Sequence, residues 1–98
     1  MTKLNKTEFV SQINGLKQAT SAHGVLYTDI KITGGTIYGI RQSTKKEFKI
    51  KLDKLYEAYI DIEPQHLTTT ALKPYVDRVQ SPSLAILKAI EEKTNQYR

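Results

Sequence analysis

The residues of this chain that could do chemistry are mostly basic, and they are concentrated in one central segment. The 98-residue chain has 15 Lys and Arg against 10 Asp and Glu, a formal net charge of +5. Residues 31–54 contain seven basic and two acidic residues, whereas the flanking segments nearly balance. A local excess of positive charge attracts polyanions such as nucleic acid, or less readily an anionic membrane surface. The candidate nucleic-acid-binding residues are Lys31, Tyr38, Arg41, Lys45, Lys46, Lys49 and Lys51.

The spacing around Tyr38 predicts a row of three side chains on one face of a sheet. If Gly34-Gly35 forms a two-residue hairpin turn, Lys31 lies opposite Tyr38. A loop over residues 42–45 then places Lys49 on the other side of Tyr38. Lysines neutralise phosphates, and an aromatic ring offers a base a stacking surface. The same row is equally typical of an ordinary solvated sheet, in which lysine stems cover a ring and charge discourages edge aggregation.

Acidic residues offer a second, weaker interpretation. Asp29, Glu47 and Lys49 have the residue types of a metal-dependent nuclease. The predicted register places the two carboxylates two strands apart, so their backbones are separated by about 9–10 Å. One metal ion needs its carboxylate oxygens within about 2–2.5 Å. A metal-dependent nuclease is therefore only a remote alternative.

Two further groups of polar residues have simpler structural interpretations. Asp61, Glu63 and His66 could be a metal cluster, but a solvated loop is the simpler reading because no rigid element holds them. Ser81 and Ser83, with Arg78 nearby, could hold an anion at a helix start, but no glycine-rich loop accompanies them. Neither group is predicted as a site.

Composition excludes several classes of site. The chain has no cysteine and only two histidines, so disulfides, thiolate ligands and cysteine nucleophiles are excluded and an imidazole zinc site is disfavoured. No apolar run has the roughly 20 residues of a membrane span. We expect a single domain over residues 1–98, frayed at about 1–4 and 94–98. We also expect a cytoplasmic protein with no cofactor and no metal.

The first half of the chain predicts one helix and a three-stranded meander. Asn5 and Glu8 have the spacing of a capping box for a helix over residues 6–22, which Gly24 would end. Residues 25–33, 36–41 and 46–52 have the β-branched and alternating patterns of strands. The inner face would contain Ile30, Ile32, Ile37, Phe48 and Ile50. The outer face would contain the rows Asp29–Ile40–Glu47, Lys31–Tyr38–Lys49 and Thr33–Thr36–Lys51.

The second half predicts two or three helices. Asp53 would cap residues 54–59, and Thr68-Thr69-Thr70 would cap a short helix over 71–79. Ser81-Pro82 would begin the last helix, with serine as the cap and proline at the first helical position. The expected fold is α+β, with the helices on one face of the antiparallel sheet and the other face open to solvent.

These expectations lead to a ranked set of functions. The first is a small non-enzymatic binding protein that contacts the phosphates of DNA or RNA through its basic sheet face. The second is a protein-interaction module, or a homodimer, that uses Tyr38, Ile40 and the sheet edge. The third is the nuclease.

Overall fold

The computed structural model describes residues 4–21 and 23–95, and these form an α+β fold. Four strands make one antiparallel sheet in the order β1-β2-β3-β4. The predicted fold class is therefore confirmed, with four strands instead of three. The elements are α1 Lys6–Leu16, β1 Ala19–Thr20, β2 Leu26–Thr33, β3 Thr36–Arg41, β4 Lys46–Lys51, α2 Leu52–Asp61, a 3₁₀ turn Pro64–His66, α3 Thr69–Leu72 and α4 Gln80–Asn95.

Helix α1 begins as predicted and ends earlier. The Asn5 side chain accepts a hydrogen bond from the Glu8 backbone N–H at 2.8 Å, and the Glu8 carboxylate accepts one from the Asn5 N–H at 3.1 Å. The predicted end at residue 22 was wrong. Lys17 has a φ of 62°, which ends the helix, and Ala19–Thr20 then pair with β2. Pairing with a neighbouring strand here overrides local helix propensity.

The β2–β3 turn and most of the sheet register are as predicted. Gly34 and Gly35 have φ values of 56° and 76°, the positive pair that a type I′ turn requires. Cα partners include Lys31 with Tyr38 and Tyr38 with Lys49. The predicted central row is therefore present in the structure.

A β-bulge interrupts the β2–β3 pairing beyond this row. Lys31 pairs with Tyr38, but Thr28 pairs with Ile40, which leaves one extra residue in β2. Asp29 lies in the bulge with a φ of 54°, in the left-handed region. The predicted pairing of Asp29 with Ile40 was therefore wrong, and Thr28 takes that place on the outer face.

The bulge decides which aromatic side chain β2 buries. Regular pairing would place Tyr27 on the outer face, because alternate residues point to opposite sides. With the extra residue, Tyr27 faces inward and is only 1% exposed. Its ring meets that of Phe48 edge to face, with the centroids 5.5 Å apart. Its hydroxyl hydrogen-bonds with the Ser81 Oγ at 2.8 Å.

The sheet has one covered and one uncovered face. Of the five predicted inner-face residues, four are buried and Ile32 is partly buried against the core. No outer-face residue of the three predicted rows is buried. The fully enclosed core residues are Phe9, Ile13, Ile37, Ile50, Leu55, Ala58, Leu72, Ile86, Leu87 and Ile90.

Helix α2 starts directly after β4, without the predicted cap. Asp53 is inside the first turn of the helix and forms an ion pair with Lys6 of α1. The Lys6 side chain lowers the pKa of the Asp53 carboxyl, chiefly through this hydrogen bond. The carboxylate therefore connects two helices instead of capping one.

Helix α3 ends at a different residue from the predicted one, and helix α4 begins at a different residue. Thr68 caps α3 as predicted, since its side chain accepts a hydrogen bond from the Ala71 N–H. The helix ends at Leu72 because Pro74 cannot donate a backbone hydrogen bond, so the predicted end at residue 79 was wrong. Helix α4 begins at Gln80, which puts Ser81 inside the helix rather than at its cap.

One end of the described chain is hydrogen-bonded to the fold, and the other continues the last helix. The Leu4 N–H donates a hydrogen bond to the Tyr59 hydroxyl at 3.0 Å, and α4 continues to Asn95. Fraying is predicted for residues 1–4 and 94–98, and of these residues 1–3 and 96–98 lie outside the described part of the chain. Over residues 4–21 and 23–95, no helix is both long and apolar enough to cross a membrane.

Candidate nucleic-acid interface

The uncovered side of the sheet is called the open face. Its central row contains Lys31, Tyr38 and Lys49, and its outer rows contain mostly hydroxyl-bearing or charged side chains. All of these side chains are exposed or half-buried. The open face consists of the rows Thr28–Ile40–Glu47, Lys31–Tyr38–Lys49 and Thr33–Thr36–Lys51.

Tyr38 is the only aromatic residue of the open face, and it lies between two lysines. Its ring is half-buried, whereas Lys31 and Lys49 are exposed. The Lys49 Nζ lies 5.8 Å from the ring centroid, within the range of a cation–π contact. A base that stacked on this ring would displace the ammonium group, which is then free to meet a phosphate.

The open-face lysines have no acidic partner among the described residues. The ion pairs found among the described residues are Lys6–Asp53 and Lys54–Glu57, and neither involves an open-face lysine. Glu47, the acidic residue of the open face, belongs to neither. The positive charge of Lys31, Lys49 and Lys51 is thus available to a ligand.

The seven candidate residues divide between the two sides of the sheet. Lys31, Tyr38, Lys49 and Lys51 lie on the open face. Arg41 and Lys46 are cross-strand partners at the end of the β3–β4 hairpin, and they continue the inward-facing series after the pair Gly39–Phe48. Lys45 lies in the hairpin loop, where its φ is 59° and its side chain donates to Gln42.

Arg41 and Lys46 line a cavity of about 530 Å³, here called the β4 cavity. It lies between β4 and the segment that leads into α4, which contributes Arg78 and Val79. Lys49 lines it as well, so the cavity is continuous with the open face. Its lining residues are Tyr27, Arg41, Thr44, Lys46, Glu47, Phe48, Lys49, Arg78, Val79 and Pro82.

A second cavity, of about 310 Å³, lies further along β4. Lys49, Lys51 and Lys54 line it, together with Tyr75 and the segment 76–79. The Tyr75 hydroxyl donates a hydrogen bond to the Asp61 carboxylate at 3.0 Å, and this bond raises the pKa of Tyr75. At neutral pH the Tyr75 side chain is therefore uncharged, so it does not reduce the positive charge that Lys49, Lys51 and Lys54 bring to this cavity.

Two basic residues of this region were not among the candidates. Lys54 joins Lys49 and Lys51 because α2 follows β4 without a loop. Arg78 joins Arg41 and Lys46 although it is distant in the sequence. From the sequence, Arg78 is connected only with Ser81 and Ser83, because no pattern in the sequence around residue 78 predicts that it lies against β4.

The acidic candidates for metal ligands lie in separate elements of the described chain, with Asp29 in β2, Glu47 in β4 and Asp61 in α2. Among the residues that the structure describes, no group of three His, Asp or Glu side chains is placed to hold a metal ion. Asp29 is in the bulge, and Glu47 is in the row of Ile40 and Thr28. Asp61 accepts a hydrogen bond from Tyr75, and Glu63 accepts one from Gln65.

Comparisons of the chain with protein-family models, with curated proteins and with solved structures found no match.

Proposed function

We propose that this protein is a non-enzymatic nucleic-acid-binding protein that uses the open face. Lys31, Lys49 and Lys51 neutralise backbone phosphates, and Tyr38 stacks on a base. Arg41, Lys45 and Lys46 extend the positive surface around the β3–β4 hairpin. Phosphate contacts supply the affinity in this arrangement, so sequence preference is weak.

The observation that supports the proposal most is the central row. Lys31 and Lys49 flank Tyr38 in register on a face that no helix covers, and neither lysine has an acidic partner among the described residues. Basic side chains beside an aromatic ring that solvent can reach are typical of surfaces that bind single-stranded nucleic acid. A single strand is the favoured form because its bases are free to stack.

Charge argues against the same face as a homodimer interface. Two copies packed face to face would bring the unpaired Lys31, Lys49 and Lys51 of each together. Ile40 is the only aliphatic side chain in the three rows, and it is half-buried. Protein interfaces favour apolar and aromatic residues over lysine at their centre. Light scattering over a concentration series checks this, since a dimer that dissociates in the variant Tyr38→Ala would support self-association instead.

The proposal is tested by fluorescence anisotropy with labelled random-sequence DNA and RNA, single-stranded and duplex. We expect single strands to bind, with log K falling linearly with log salt by about 0.7 for each phosphate contact. The double variant Lys31→Glu/Lys49→Glu should lose binding and keep its unfolding midpoint. Lys31→Glu alone tests the open face without changing the β4 cavity.

A matched control is Lys88→Glu, which makes the same charge change on α4. Lys88 is exposed and lies against β1, at the opposite edge of the sheet from β4. The affinity of the Lys88→Glu variant for nucleic acid should stay near that of the original chain. Equal losses in Lys31→Glu and Lys88→Glu would mean that net charge, rather than the open face, governs binding and would overturn the proposal.

A further inference from the structure

We propose that the β4 cavity binds a nucleoside phosphomonoester, which is either a free nucleotide or the phosphorylated end of a bound strand. The open face contacts the internal phosphodiesters of a strand, whereas this cavity takes a terminal monoester. The strand-end form of the proposal rests on the proposed function. The free-nucleotide form does not.

Positive charge exceeds negative charge in the lining of this cavity. Arg41 and Lys46 are directly opposite each other on β3 and β4, an arrangement that destabilises a strand pair. Arg78 lines the same cavity from the other side. None of the three has an acidic ion-pair partner in the described part of the chain. Glu47 is the only acid of the lining. A bound anion would relieve this repulsion.

The charge of the cavity favours a monoester over a diester. A phosphomonoester carries about −1.5 to −2 charges at pH 7, whereas each backbone phosphodiester carries one. Two arginines and a lysine line the same cavity, and each arginine can donate two parallel hydrogen bonds to such a group. The open face has separate lysines along its strands, which suits single charges spaced along a chain.

The lining also favours an organic phosphate over the inorganic ion. Phe48, Val79 and Pro82 form an apolar wall beside the cations. The volume of about 530 Å³ is ample for one nucleotide and falls in the usual range of ligand pockets. Lys49 lines the cavity and also contacts the Tyr38 ring on the open face. A strand that stacks on Tyr38 can therefore reach the cavity around the β4 edge.

The first test is titration with adenosine 5′-monophosphate, adenosine and inorganic phosphate, followed by two-dimensional amide NMR. We expect the nucleotide to shift the amides of Arg41, Lys46 and Arg78 and to bind at least about tenfold more tightly than adenosine or phosphate. The variant Arg78→Asn removes the charge and suits the left-handed backbone at this position, where φ is 73°. It should lose the nucleotide preference and keep its unfolding midpoint. Equal affinity for nucleotide and adenosine would overturn the proposal.

The second test compares single-stranded octanucleotides that differ only in a terminal phosphate. For the original chain, a 5′- or 3′-phosphate should tighten binding about tenfold over hydroxyl ends. Arg78→Asn and Lys46→Gln should reduce this ratio to about one, while Lys31→Glu should weaken both oligonucleotides in proportion. Lys88→Gln is the control and should preserve the ratio.

The two proposals fail in different ways. Oligonucleotides that bind through Lys31 with no preference for a phosphate end would overturn the strand-end form and leave the proposed function standing. If no oligonucleotide binds but the mononucleotide does, and Arg78→Asn abolishes that binding, the proposed function fails and the free-nucleotide form is supported.

Discussion

The ring of Phe48 lies directly against Gly39, its cross-strand partner on β3. A Cβ atom added to Gly39 would come within 2.3 Å of the Phe48 Cζ. Gly39 has no positive φ, so its backbone does not require glycine. Glycine is required at this position because the Phe48 ring occupies the space that a Cβ atom would need. Because Gly39 has no side chain, the Phe48 ring can lie over β3 and meet the Tyr27 ring of β2, and both residues line the β4 cavity.

The first prediction follows from this contact. Gly39→Ala should lower the free energy of unfolding by about 1–3 kcal/mol, because an extra methyl overpacks the core. Urea denaturation measures it. Gly15→Ala is a matched control on α1, where the nearest atom is the flexible end of Lys93 at 3.1 Å. That change should leave stability unchanged or raise it by up to about 1 kcal/mol. A Gly39→Ala variant as stable as the original would contradict the described packing.

The second prediction concerns the bulge at Asp29. Asp29→Val should destabilise the fold by about 1–2 kcal/mol, because a β-branched residue is strained at a φ of 54°. Asp29→Gly should be no less stable than the original, since glycine adopts this conformation freely. Thermal unfolding of both variants measures the difference. If valine were tolerated as well as glycine, residue 29 would not have the left-handed conformation.

The third prediction separates stacking from charge on the open face. Tyr38→Ala should reduce affinity for single-stranded nucleic acid by about 1–3 kcal/mol, the usual contribution of one stacked base. Tyr38→Phe should retain most of it, because the ring and not the hydroxyl provides the stacking surface. Anisotropy titrations at fixed salt measure both. If both variants lost the same affinity, the Tyr38 hydroxyl rather than the ring would make the contact with nucleic acid.

The fourth prediction concerns alkaline pH. Burial raises the pKa of Tyr59, whose hydroxyl accepts a hydrogen bond from the Leu4 N–H. The folded state therefore favours the neutral phenol, while the unfolded chain ionises near pH 10. The contribution to stability is complete below about pH 10 and is lost as pH rises through the folded pKa.

Tyr59→Phe checks this by removing the ionisable group. Its free energy of unfolding should fall less steeply between about pH 9 and 11 than that of the original chain. At neutral pH it should be lower by about 0.5–1.5 kcal/mol, since the Leu4 hydrogen bond is lost. An unchanged alkaline slope would mean that Tyr59 does not control this transition.

Features that depend on nearby residues were predictable from the sequence. The capping box of Asn5 and Glu8 joins residues within one helical turn, and the turn at Gly34-Gly35 needs only two positive φ values. The Lys31–Tyr38–Lys49 row followed from that turn and one short loop. In each case neighbouring residues determine the geometry, so local patterns were sufficient.

Features that depend on distant residues were decided by the tertiary structure. The bulge at Asp29 turns Tyr27 inward to meet Phe48 and Ser81, and its energy comes from packing that no window of sequence around residue 29 contains. The β4 cavity likewise forms only when the segment before α4 brings Arg78 beside Arg41 and Lys46. The sequence by itself determined which residues carry the charge and how they alternate along each strand. Only the tertiary structure decided which of those charges meet, because chain folding brings together groups that lie far apart along the backbone.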